Sequence, residues 1–110
     1  MYKFPFLYTL ANPTFVNIGY STSKAIGKIV QENQKYIVKT ELTIFRHDRP
    51  KMIYHEIRRE LRECNNDNLT PYQQVEVAKE ICKKNKAIEL YHCFLFGKHI
   101  LLPWETDTYL

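Results

Sequence analysis

Residues 6 to 22, FLYTLANPTFVNIGYST, decide how the rest of the chain is laid out. Phe6, Tyr8 and Leu10 alternate with Leu7 and Thr9, the period of two expected of a half-buried strand, and Phe15 to Tyr20 repeats the pattern on the return. Pro13 has no N–H to give to a ladder, so the reversal falls at Asn12-Pro13. The hairpin closes on Gly19 and the hydroxyl-rich run Ser21-Thr22-Ser23, any of which suits a helix cap.

From there the pattern extends outward. A short helix carries Ala25, Ile26, Ile29 and Val30 on one face and ends near Asn33, weakened by Gly27. Tyr36 to Phe45 reads as a strand with Tyr36, Val38, Leu42 and Ile44 opposed to Lys39, Glu41 and Thr43, so one face is expected to be buried and the other partly wet. His47-Asp48-Arg49-Pro50 breaks it and starts a second helix, with Asp48 as cap, Pro50 in the first turn, and Ile53, Ile57, Leu61 and Cys64 at helical spacing. Asn65-Asn66-Asp67-Asn68 is a loop, and Thr70-Pro71 opens a third helix through Val75, Ala78, Ile81 and Cys82 to about Asn85.

Ile88 to Phe96 is apolar on both faces, as in a strand covered on both sides. Gly97-Lys98 suits a two-residue turn returning through Ile100 to Trp104 as a last short strand. The expected fold class is α+β: a small, mostly antiparallel sheet, built from the N-terminal hairpin and later strands and covered by about three helices. Residues 1–104 form its single domain, with 105–110 as a loose tail.

A chain of 110 residues, 45% hydrophobic and 14% aromatic, has the material for one packed core. The short apolar run after Lys3 is interrupted by Pro5 and Pro13 and does not have the form of a signal peptide. No run approaches the roughly 20 apolar residues of a membrane span, so the expectation is an intracellular protein of cytoplasm or nucleus with no membrane partner. Cys64, Cys82 and Cys93 are odd in number and form no C-x-x-C, which favours buried apolar side chains over metal ligands.

The net charge of +4 is modest, but its placement is not even. All five arginines, Arg46, Arg49, Arg58, Arg59 and Arg62, fall in one stretch with Lys51 and His55. The planar fork of arginine donates two parallel hydrogen bonds to phosphate, so the cluster points to nucleic acid or another polyanion. The competing account is a solvated helix face laced with ion pairs such as Glu56 with Arg59.

The segments Tyr8-Thr9-Leu10-Ala11-Asn12-Pro13 and Val16-Asn17-Ile18-Gly19-Tyr20-Ser21-Thr22 resemble the GIY-YIG nuclease superfamily, in particular its phage and viral branch. The resemblance covers about the first sixty residues. It implies metal-dependent hydrolysis of DNA phosphodiesters, with two tyrosines, an arginine on the first helix and a later helical glutamate holding Mg²⁺ or Mn²⁺. Tyr8 keeps the first tyrosine and Gly19 the second glycine, whereas Asn17 stands where the second tyrosine belongs, and Tyr20 points to the opposite face. Lys28 aligns with the arginine. Glu56 and Glu60 both suit the carboxylate, and Glu60, beside the Ile53, Ile57, Leu61 stripe, is the better placed. His55 falls nearly opposite that stripe.

The resemblance therefore implies catalytic Tyr8, Lys28 and Glu60, with Glu60 as metal ligand and the five arginines on nucleic acid, DNA before RNA. Its departures leave an active site that is either variant or lost, the latter making the chain a binding-only relative. A small viral or phage-type interaction protein that inhibits a host enzyme is the alternative. The chain has no G-x-S-x-G, no Walker-type loop and no paired histidines of the zinc-protease kind. His92 and Cys93 are adjacent on a strand and so face opposite ways.

Overall fold

In the computed structural model, which describes residues 6–33, 38–64 and 68–95, the hairpin forms one side of the sheet. Its strands are β1 (Phe6–Ala11) and β2 (Val16–Ser21). There follow α1 (Ser23–Asn33), β3 (Thr40–Arg46), α2 (Pro50–Glu63), α3 (Pro71–Lys84) and β4 (Ile88–Leu95). The strands pair antiparallel in the order β2-β1-β3-β4, so the chain is α+β as expected. The turn at Asn12-Pro13 is held by one buried oxygen: Asn12 Oδ1 accepts from Thr14 N at 2.8 Å, Thr14 Oγ1 at 2.9 Å and Phe15 N at 2.9 Å.

The period of two in β1 sorts its side chains between two layers. Tyr8 and Leu10 join Leu42, Ile44, Ile26 and Val30 on the α1 face. Leu7 joins Phe45, Ile53, Ile57, Leu61, Ala78, Ile81 and Cys82 on the face covered by α2 and α3. Three expectations are corrected by this arrangement. β1 is buried along both faces from Leu7 to Ala11, because it lies between β2 and β3 under two helical layers. β3 is also buried on both faces from Leu42 to Phe45, and among the described residues it opens at Thr40, with 38 and 39 outside it.

β4 goes the other way. It stands last in the strand order among the described residues, with Ile88 63%, Leu90 42% and Phe94 48% exposed. Its apolar run is therefore not the doubly covered strand that its composition suggested. Tyr36, the Asn65-Asn66-Asp67 part of the polar loop, the Gly97-Lys98 turn, the strand expected at Ile100 to Trp104 and the tail at 105–110 lie outside the described residues.

The helix starts follow local chemistry. Of the three candidate caps, Thr22 takes the role, its Oγ1 accepting from Ala25 N at 3.2 Å. Asp48 does not cap α2: Arg49 occupies that position without a side-chain cap, Pro50 follows, and His47 Nδ1 accepts from Arg49 N at 2.8 Å. Thr70 and Gln73 form a reciprocal capping box on α3, each side chain bonding the other's backbone N–H. Cys82 is buried in the core, but Cys64 closes α2 in an exposed position and Cys93 is half-buried, so the expectation of three buried cysteines holds for Cys82 alone.

Candidate nucleic-acid interface

Tyr8 sits opposite Gly19 across the β1–β2 ladder and only 7% of it is exposed. The hydroxyl end of its ring covers the glycine: a Cβ there would stand 2.9 Å from the Tyr8 hydroxyl and 3.1 Å from Cζ. Asn17, two residues along on the same face, accepts from the Tyr8 hydroxyl at 3.1 Å. Burial first, and the nearby Tyr54 phenol second, push the Tyr8 pKa above its ordinary value, while the Asn17 bond opposes them with less effect. The phenol is therefore a neutral donor at physiological pH, committed to Asn17.

Lys28 lies on the exposed side of α1, away from Ile26 and Val30. Glu60 is exposed on α2, the layer across the sheet from Tyr8, and its Oε1 accepts from Cys64 Sγ at 3.7 Å. The structure thus leaves Tyr8 and Lys28 on one side of the sheet and Glu60 on the other. Among the described residues no three His, Cys, Asp or Glu side chains converge on a metal position. Glu56 is the more enclosed of the two glutamates. It accepts from Lys84 Nζ and Asn85 Nδ2, both at 3.3 Å, which ties α2 to α3.

The arginines are arranged differently. Arg46 ends β3, Arg49 precedes α2, and both are exposed. Arg59 and Arg62 line an open groove of about 490 Å³ on α2 together with Met52, His55 and Glu56. Arg58, half-buried, follows Tyr54 by one turn on the flank nearer β2. None of the ion pairs among the described residues uses an arginine, and the expected Glu56–Arg59 pair is absent because Glu56 is taken by Lys84. Along this flank runs an aromatic row: Tyr20 on β2 meets Tyr54 edge-on at 5.2 Å, and Tyr54 meets His55 at 5.6 Å. Sequence reasoning missed this row. Tyr20 and Tyr54 meet only when α2 packs beside the edge of β2.

A second polar cluster lies at the other end of the sheet. Glu41 on β3 accepts from Lys79 Nζ at 3.1 Å and contacts His92 Nε2 at 2.8 Å. Lys39 lies 4.4 Å from the Phe94 ring centre, and Glu76 stands 3.7 Å from Lys79. Burial acts to raise the Glu41 pKa, but the hydrogen bonds from His92 and Lys79 outweigh it and hold the carboxyl below its ordinary value. With the folded value depressed, the stability this group contributes is fully present above the ordinary carboxylate range. It is lost as pH falls through the lowered folded value. Urea unfolding across acid pH should show Glu41→Gln with a flatter pH dependence than the native chain, and an unchanged acid slope would refute this role.

No protein-family model, curated protein or solved structure matches the chain. Among the described residues, no helix is long and apolar enough to cross a membrane.

Proposed function

We propose that this domain binds nucleic acid through the arginine face of α2, on a scaffold that resembles GIY-YIG nucleases. One observation carries the proposal: the arginines of α2 are free of ion pairs among the described residues, while the neighbouring Glu56 is neutralised by Lys84. Guanidinium groups without an internal carboxylate partner keep their paired donors available to phosphate oxygens. Binding is favoured over cleavage because Tyr8 is a buried neutral donor and Glu60 occupies the opposite layer. DNA is the first ligand to try.

The test is fluorescence anisotropy with labelled oligonucleotides across a salt series, paired with incubation of plasmid and branched DNA with Mg²⁺ or Mn²⁺. Affinity should fall linearly with salt on a log–log plot, and the DNA should remain uncut. Divalent-dependent cleavage that Glu60→Gln abolishes would restore the nuclease reading. A second reading, a protein-interaction module, is supported by exposed Ile88, Leu90 and Phe94 on β4. Absence of nucleic-acid binding at any salt concentration would favour it.

A further inference from the structure

The groove on α2 is not a simple patch of positive charge. Met52, 46% exposed, and His55 contribute apolar and aromatic surface on the N-terminal side of Arg59 and Arg62. His55 is also the end of the Tyr20–Tyr54–His55 row, which links the groove to the edge of β2 through ring contacts. Glu56, the one carboxylate in the groove, bonds Lys84 and Asn85, which offsets its repulsion of phosphate.

A duplex keeps its base faces stacked inside, so a surface that meets its backbone needs cations and hydrogen-bond donors and gains little from rings. A single strand exposes base faces, and proteins that hold one combine a cationic track with aromatic platforms. Linked rings beside a cation also occur at His92, Phe94 and Lys39, but there Glu41 stands against His92, whereas the α2 flank joins its rings to two arginines that make no ion pair among the described residues. We infer that the ligand is single-stranded nucleic acid, with one or more bases stacked on His55 and packed against Met52 while Arg59 and Arg62 hold the adjoining phosphates. The inference rests on the reading of α2 as a nucleic-acid face and narrows it.

The experiment compares one sequence as single-stranded DNA, single-stranded RNA and duplex DNA, each titrated by anisotropy against the native chain, His55→Ala, His55→Phe and Tyr54→Leu. His55 is exposed, so its variants should keep the fold, which circular dichroism checks; Tyr54→Leu retains apolar packing while removing the ring. Single strands should bind more tightly than the duplex, with a salt slope near −0.7 per phosphate contact rather than about −0.9. Loss of a base-stacking platform is worth about 1–3 kcal/mol, so His55→Ala should weaken single-strand binding by about 5- to 150-fold, with His55→Phe close to native. Tyr54→Leu should weaken it as well, because the Tyr54 ring supports His55. Equal or tighter duplex binding, or an equal effect of His55→Ala on single strand and duplex, overturns the inference while leaving the proposed function standing. Binding to none of the three ligands overturns both.

Discussion

The double variant Arg59→Glu, Arg62→Glu should all but abolish nucleic-acid binding while leaving the fold intact. Both guanidinium groups are exposed in the α2 groove and neither takes part in an ion pair among the described residues, so their removal breaks no internal contact. Surface changes of this kind usually alter stability by no more than about 0.5 kcal/mol. Each lost phosphate contact lowers the salt slope by about 0.7 on a single strand or about 0.9 on a duplex, and the new carboxylates add repulsion. Lys24→Glu with Lys28→Glu is the matched control, with the same change in net charge on exposed positions of α1. Its effect should be much smaller. If the two double variants weaken binding equally, the protein's overall charge and not the α2 face governs affinity.

The second large effect concerns Gly19. Gly19→Ala places a methyl group 2.9 Å from the Tyr8 hydroxyl, closer than real side-chain contacts allow, and 3.2 Å from Cε1, so the ring must shift. Tyr8 cannot easily retreat, since it is buried with Leu10, Ile26, Leu42 and Ile44. Overpacking of this sort costs about 1–3 kcal/mol, a large fraction of a stability that is about 5–15 kcal/mol for a typical domain. Tyr8→Phe alone should cost about 1 kcal/mol through the lost bond to Asn17. Combined with Gly19→Ala it also removes the closest clash, so the double variant should be more stable than the two single effects predict. Strict additivity in urea unfolding would show that the ring does not rest on the glycine.

That contact explains why Tyr8 and Gly19 belong together without assigning either to catalysis. The pairing was legible in part: the hairpin and its turn can be read from alternation and from Asn12-Pro13, and register then sets residue 8 opposite residue 19. Local chemistry also marked the starts of α1 and α3, where a threonine has a backbone N–H to cap. Strand order was not legible. Alternation in β1 and β3 looked one-sided because Thr9 and Thr43 read as polar, yet both are buried between paired strands. Conversely, the apolar composition of β4 gave no sign of its place at the end of the described sheet.

The candidate site was divided in the same way. The arginine cluster is contiguous in sequence and so was visible, although which arginines share a groove depends on the turn of α2. Glu60 looked inward because it borders the apolar stripe, but it flanks that stripe from outside. The layer on which α2 packs decides that Glu60 and Tyr8 are apart, and no local pattern encodes a layer.

The Asn12 turn bears on chemical ageing. Asparagine is a weak point in proteins because its side-chain carbonyl carbon can be attacked by the backbone nitrogen of the next residue, closing a ring that opens to aspartate or isoaspartate. Here the next residue is Pro13, whose nitrogen carries no hydrogen and is already in a ring of its own. The carboxamide that receives three hydrogen bonds and sets the hairpin is thus barred from that decay route by its neighbour in the chain. The proline that bends the backbone also preserves the amide that holds the bend.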